Sequence, residues 1–344
     1  MRSPTIAIYF VHKCLQNLQH RPDLQLRLLG QNHISPNLLN NPNARVPADN
    51  YANLCRDTMQ TMNDELIGFG TQAQKLGCWA TMTELAANAP NLSEALKRLT
   101  RFYRLIPWGL STKLEIHNDV ASISLTPTAT NVEFDPYLYE SFLFYIHRTA
   151  NWLIGRQIPL HRVDFCFAQP PQAMEYQNLF LTKNIQYQQA RAQIQFSASL
   201  LENPIDISAQ ALEKFLSHVN FAMITQSYTS KSWHYKVGSA LEARLRANPT
   251  FADIAKSLEL HPHTLRNYLR QEGFQYQDIK DRVRCDSAIF HLSSAGCSVE
   301  ETAALIGFSE PSAFIRSFKK WTGTKPMEYK KRRKLADTGH PAEG

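Results

Sequence analysis

Apolar residues recur along this chain in two rhythms, and the change between them divides it. In residues 1–229 helical and strand periods alternate. The segment 46–64 has Pro47 near its start and sets Leu54, Met59 and Met62 at helical spacing. Segment 91–106 opens on a cap-type residue and lines up Leu92, Ala95, Leu96, Leu99 and Phe102 on one stripe. Over 113–125 apolar and polar positions alternate on both sides of Asn118-Asp119, the pattern of a hairpin. A long helical pattern from Pro136 to about Leu153 comes next, then strand-like runs at 161–167 and 193–198 with Pro170 and Pro171 between them. One more helix is expected from about Ser208 to Tyr228. Helices with an antiparallel sheet make this an α+β domain.

The stretch TSKSWHYKVG, 229–238, is polar and holds no apolar period beyond Trp233 and Tyr235. The expected domain boundary falls there, giving domains at 1–229 and 230–344. Beyond it the rhythm is helical throughout, and it repeats. TFADIAKSL (250–258) and SVEETAALI (298–306) align without gaps, and each begins with a hydroxyl followed three residues later by an acid: Thr250/Asp253 and Ser298/Glu301. That spacing predicts a capping box at each helix start. In each copy a short turn and a second helix follow, so the pattern predicts two helix-turn-helix units, at about 250–273 and 298–323, in an all-α domain. QDIKDRVRCDSAIFHLSS, 277–294, is long enough to join them as one linker helix.

The second helix of each unit is sharply two-faced. At about 100° per residue, Phe314, Phe318 and Trp321 fall on one side and Ser312, Arg316, Lys319 and Lys320 on the other. Leu265, Tyr268 and Leu269 likewise oppose His263, Arg266, Asn267 and Arg270. The apolar faces are core. The basic faces lack the interleaved acids that surface helices use for i,i+4 pairing. They also recur at equivalent places, on the helix that enters the major groove in such units.

Charge distribution agrees. From Ser230 onward lie 19 of the 37 basic and 13 of the 30 acidic residues, so this last third carries +6 of the net +7 and the remainder is close to neutral. A basic module on a neutral body suits a polyanion partner. The run KKRRK (330–334) adds nonspecific phosphate attraction. No stretch approaches the roughly 18–20 apolar residues of a membrane span, and the N-terminal IAIYFV meets His12 and Lys13 at once without a small-residue cleavage site. A cytoplasmic, nucleoid-associated protein with no membrane partner is expected. The six cysteines stand apart, none at CxxC spacing, so no metal or disulfide framework is predicted and the thiols are expected reduced and mostly buried.

These residues resemble a known family. Thr250 to about Arg333 is similar to the DNA-binding domain of AraC/XylS-type bacterial transcription regulators. AALIGFSEPSAFIRSFKKWTGTKPMEYKKR carries the Gly-Phe turn, the Ser-x-x-x-Phe-x-Arg-x-Phe helix, Trp-x-Gly and the following Pro326. The first unit has Leu265, Leu269 and Gly273 in register. The resemblance implies base contacts from His263, Arg266, Asn267, Ser312, Ala313 and Arg316, with Arg270, Lys319 and Lys320 on phosphates. It further implies that both recognition helices enter successive major grooves on one face of double-stranded promoter DNA. Two departures stand out: His261 occupies a position where a capping Ser is usual, and Asn267 one where Arg is common.

Residues of about 15–205 are similar in layout to an arabinose-binding-like effector and dimerisation domain, in the subgroup of ornithine- and arginine-use regulators. NDELIGFG (63–70), the 91–106 helix and SASLLENPI carry that likeness. It implies an unidentified small-molecule effector, a homodimer formed through this domain, and RNA polymerase as a partner of an activator. Trp108, Tyr145, His147, Arg148 and Arg162 are pocket candidates, with core packing or surface charge as the plain alternative for each, so the effector-contacting residues stay unassigned. Action mainly as a repressor is one alternative; an enzyme-like first domain is another. GFGTQA (68–73) fits a dinucleotide loop only loosely, since it follows a helical pattern and lacks an acid about 20 residues on. No GxSxG or HExxH motif occurs, so no enzyme and no cofactor are expected.

Overall fold

The computed structural model describes residues 5–42, 44–129, 132–217, 223–224, 232–293, 296–322 and 325–330. Residues 331–334 of the basic run, Gly323 of the Trp-x-Gly motif and most of the helix expected beyond Ser217 lie outside them. Packing sorts the chain into two units: Met1–His12, Leu18–Leu54 and Ser232–Gly344 form one, Lys13–Asn17 and Cys55–Lys231 the other. Among the described residues, no helix is long and apolar enough to cross a membrane.

The N-terminal part of the first unit holds a two-stranded antiparallel sheet, β1 (Thr5–Ala7) with β2 (Arg45–Pro47), and the helix Pro22–Gln31. Within the same unit the Thr5 hydroxyl donates to Asp286 Oδ1 at 3.0 Å, and Arg45 donates through Nε to the Thr5 hydroxyl and through Nη2 to its carbonyl.

Among the described residues of the second unit, a five-stranded sheet places the segments 110–117, 120–127, 192–197, 160–164 and 185–186 side by side in that order. The hairpin forms as its pattern predicts: β3 (Leu110–His117) pairs antiparallel with β4 (Val120–Pro127), and Asn118 takes the left-handed turn conformation, φ 52°. Leu114 stands opposite Ile123, so the alternation is in register. β5 (Leu160–Asp164), β6 (Ile185–Gln186) and β7 (Ala192–Ser197) complete the sheet, with β7 antiparallel to both β4 and β5 and only the short β5–β6 pair parallel. Helix Leu92–Leu105 buries Leu92, Ala95, Leu96 and Leu99 and packs against β3, where the Thr112 hydroxyl donates to the Thr100 carbonyl at 2.8 Å. The Asn91 side chain caps it, accepting from the Glu94 amide. The other expected helices form at Ala48–Met62, Pro136–Leu153 and Ala209–Ser217. All six cysteines are free, but only Cys14 and Cys55 are buried; the other four are half-buried.

From Trp233 on, the described secondary structure of the first unit is helical. Both capping boxes exist, at Thr250/Asp253 and Ser298/Glu301, with each side chain and backbone amide satisfied reciprocally. Two cores follow from the repeat. Val237, Leu241, Ile254, Ala255, Leu265 and Leu269 form the first, and Ala303, Ile306, Phe314, Phe318 and Tyr329 belong to the second. The linker helix, Tyr276–Ser293, gives Ile279 to the first core and Ala288, Ile289 and Leu292 to the second, and Val283 packs on both.

One side chain ties these parts together. Arg284 is 8% exposed and donates to three oxygens: Nε to Ile306 O (3.1 Å), Nη2 to Asn248 Oδ1 (2.9 Å) and Nη2 to Gly307 O (2.9 Å). Its guanidinium lies over the Phe308 ring, 4.3 Å from the centroid. Gly307 adopts φ +77°, and a Cβ there would run into the Leu245 carbonyl, which explains the glycine of the Gly-Phe turn. Lys280 and the Tyr276 hydroxyl both donate to Pro249 O at 2.9 Å, fixing the other end of the linker to the first repeat.

The stretch read as a polar connector behaves differently. Trp233–Ala243 is a helix, and Val237 and Leu241 are buried. Its apolar positions, Trp233, Val237 and Leu241, are four residues apart, a period that a window closing at 238 cannot show. Glu272, at the end of the first recognition helix, accepts from the Trp233 amide (2.8 Å), the His234 amide (2.9 Å) and the His234 ring (3.3 Å), capping that helix start.

Two outcomes are expected. Replacing Arg284 by Met leaves buried carbonyls without a donor and should lower the unfolding free energy by roughly 2–3 kcal/mol in urea titrations; an unchanged midpoint would remove the linker arginine from the account. Burial alone would raise the Glu272 carboxyl, but hydrogen bonds from the His234 ring and the Trp233 and His234 amides outweigh it and hold it below its ordinary value of 4.5. Its share of stability is therefore full above that value and drains as pH falls through the depressed one. Glu272→Gln should flatten the acid limb of a stability–pH curve below about pH 4.5; parallel limbs for the two proteins would contradict this.

Candidate nucleic-acid interface

Helix Pro262–Gln271 starts from an unusual cap. His261 stands at the N-cap and its Nδ1 accepts from the His263 amide at 3.3 Å, so the imidazole does the work a serine hydroxyl would do. Pro262 occupies the first turn, where no donor is lost. Leu265 and Leu269 anchor the inner face. On the outer face His263, Arg266 and Arg270 are exposed, and Asn267 is half-buried.

This outer face is already cross-linked. Asn267 Nδ2 lies 3.3 Å from His263 Nδ1, and Arg270 Nη2 donates to Asn267 Oδ1 at 3.3 Å. The Arg266 guanidinium sits 5.3 Å from the centroid of the Phe251 ring. His263, Asn267 and Arg270 thus form a row of side chains in mutual contact along this face.

Helix Pro311–Thr322 is built differently. Phe314 and Phe318 are fully buried, their rings 5.6 Å apart edge to face, and Phe318 meets Tyr329 in the same manner at 5.5 Å. Trp321 packs half-buried beside Phe308. With the inner face so fixed, Ser312, Arg316, Lys319 and Lys320 are exposed and Ala313 half-exposed beside them. Among the described residues Arg316, Lys319 and Lys320 carry no ion pair or side-chain hydrogen bond, which sets this face apart from the first. Two lysines in the last turn also complement the helix dipole.

Each sequence-predicted contact residue thus lies on the outward side of its helix. The residue that sequence reasoning missed is Arg284. It sits inside a helix of mixed polarity, and no local spacing announces an arginine that turns inward to reach residues more than twenty positions away.

The five pocket candidates of the second unit scatter. Trp108 is core, its Nε1 donating to Tyr103 O at 3.1 Å. His147 Nε2 contacts Ile158 O at 2.8 Å; burial, then the neighbouring Arg148 charge, pushes its pKa down to about 3, so it stays neutral. Arg148 is buried, donates to Leu179 O and lies over the Phe144 ring, while Arg162 pairs with Asp164. Of the five, Tyr145 lines a cavity that also holds Trp79 and Tyr103 on its wall. GFGTQA follows the helix Ala48–Met62 rather than a strand, within a loop bound to Asp64.

Both parts of the chain are similar to known proteins. Residues 25–205 match the family model described as the arabinose-binding domain of AraC transcription regulators, N-terminal, and residues 254–332 match a helix-turn-helix domain model. The ornithine utilization regulator of Pseudomonas aeruginosa is 22% identical over 298 residues, 86% of this chain and 88% of that protein. The transcriptional regulator VirS of Mycobacterium tuberculosis is 38% identical over 77 residues, 22% of this chain and 23% of VirS. The structure of the transcriptional regulator CdpR from Pseudomonas aeruginosa aligns with 94% of this chain and 98% of its own at 18% identity, with a TM-score of 0.30. With the arabinose-binding model spanning more than half of it and a helix-turn-helix domain behind, the chain belongs to the AraC family of DNA-binding transcription regulators.

Proposed function

We propose that this regulator reads two successive major grooves of promoter DNA, one with Pro262–Gln271 and one with Pro311–Thr322, and that it responds to a small molecule held by its N-terminal part. The observation that carries the first half is the exposed, unpaired face of Arg316, Lys319 and Lys320 over a fully buried Phe314–Phe318 pair. Arg316 presents a fork that matches guanine O6 and N7. Ser312 and Ala313, one turn nearer the helix start, complete the base-reading set, with Ala313 limited to a methyl contact. In the first helix His263, Arg266 and Asn267 have that role. Arg270, Lys319 and Lys320 lie toward the helix ends and hold phosphates, giving affinity without sequence information.

The same reading makes the protein a cytoplasmic, non-enzymatic activator that forms a homodimer through its N-terminal domain and engages RNA polymerase. Effector sensing is supported by the arabinose-binding-like match. The ornithine in the name of the Pseudomonas relative belongs to that protein, whose identity to this chain is 22%.

Arg316→Ala should cost roughly 1–3 kcal/mol on a cognate site and relax preference at one base position. Lys319→Ala should weaken all sequences evenly and reduce the slope of log affinity against log salt by about one. Binding titrations over a salt series on a mapped promoter and single-base variants measure both. Equal losses on every sequence for Arg316→Ala would take the base-reading role from it.

A further inference from the structure

The second unit contains a cavity of about 250 Å³, a little below the roughly 300–1,000 Å³ of drug-sized ligand sites and so suited to a smaller molecule. Phe69, Trp79, Tyr103, Tyr137, Phe142 and Tyr145 give it aromatic walls. These rings brace one another: Trp79 meets Tyr145 at 5.5 Å, Tyr103 meets Phe142 at 4.6 Å and Phe69 meets Tyr137 at 4.9 Å. Edge-to-face and tilted contacts of this kind hold the walls in place.

Two adjacent carboxylates, of which Glu65 lines the cavity, hold the loop beside it. Asp64 accepts from the amides of Leu66 (2.9 Å), Gly68 (2.7 Å) and Gln74 (2.8 Å). Glu65 accepts from Gln74 Nε2 (2.8 Å), the Gly77 amide (2.7 Å) and the Trp79 amide (2.8 Å). The Gln74 side-chain nitrogen donates to Glu65 and, at 3.5 Å, to the Tyr103 hydroxyl, and Gln74 Oε1 is left buried with no hydrogen-bond partner, on a residue only 2% exposed. Trp79 Nε1 is also buried without an acceptor. Both side chains line the cavity. One unmet acceptor and one unmet donor in an aromatic chamber are costly unless something supplies their complements.

The charged groups do not suit a zwitterion. Both Glu65 oxygens are occupied by the three donors just named, and burial raises its carboxyl above the ordinary value. Arg56, at the edge, is largely exposed and pairs with Asp57. A ligand carrying separate ammonium and carboxylate groups would lose its hydration and gain no free counter-charges. A sugar, with a hydroxyl on most carbons, would meet mainly ring faces and edges.

We propose that this cavity is the effector site and that it takes a small uncharged molecule, a single aromatic ring or similar apolar body bearing one neutral head that both donates and accepts a hydrogen bond. The head donates to Gln74 Oε1 and accepts from Trp79 Nε1–H. This rests on the reading above that the N-terminal part senses a small molecule, and it specifies which chemistry.

Benzamide and phenol serve as probes on the full-length chain, with L-ornithine and L-arabinose as the contrast, read by thermal unfolding and tryptophan fluorescence titration. The aromatic probes should raise Tm and bind saturably at millimolar concentration or below, while the amino acid and the sugar should do neither. Trp79→Phe, which keeps the ring and removes the donor, should weaken benzamide about tenfold. Ser141→Phe, which fills the cavity from the helix Pro136–Leu153, should abolish probe binding and decides the matter alone if Trp79→Phe does not fold. Stabilisation by ornithine or arabinose equal to that by benzamide would overturn the proposal, as would probe binding unaffected by Ser141→Phe. Footprinting without any probe separates the two layers. A chain that protects promoter DNA but binds no aromatic probe keeps its DNA-reading role and loses this site; one that binds benzamide and protects no DNA loses the groove-reading function.

Discussion

The guanidinium of Arg284 is the constraint on which the DNA-binding half depends. It is buried in the middle of the linker helix and its hydrogen bonds leave that helix in two directions, to Asn248 just before the first repeat and to the Ile306–Gly307 turn inside the second. A hydrophobic residue there could fill space but could not satisfy two carbonyls and an amide oxygen at once. Apolar packing supports the same geometry through Val283, shared by both cores. Packing alone tolerates sliding by small amounts, whereas three directed hydrogen bonds do not. Two recognition helices held by one such rod are positioned as a pair.

Comparable economy appears in the second unit, where Asp64 and Glu65 order the loop 63–77 by taking six hydrogen bonds between them. Here charge fixes main chain in place and, as a by-product, leaves one amide oxygen of Gln74 buried without a partner on a residue of the cavity wall. In both units a buried polar group determines what nearby surfaces can do, and the apolar core provides the setting.

What could be seen in the sequence follows from what is local. Both capping boxes, the Asn118 hairpin turn and the two-faced recognition helices depend on residues within one or two turns of each other, and each forms as its pattern predicts. The outward placement of Arg316 and Lys319 follows from helical geometry once Phe314 and Phe318 are known to be core. What could not be seen depends on distant partners. Arg284 bonds across 22 and 36 positions, and Trp233–Ala243 becomes a helix because its apolar stripe meets the first core and Glu272 caps it from 39 residues away. The cavity was equally hidden. Of the aromatic and charged residues singled out for it, only Tyr145 lines it, since a buried histidine or arginine such as His147 or Arg148 finds its partners in the surrounding main chain.

The rigid pairing of the two helices is tested most directly by hydroxyl-radical footprinting of the full chain on several mapped promoter sites. Two protected tracts are expected on one face of the duplex, separated by one helical turn, about 10–10.5 bp, with the same separation at every site. A single tract, or two whose separation varies from site to site, would contradict rigid pairing.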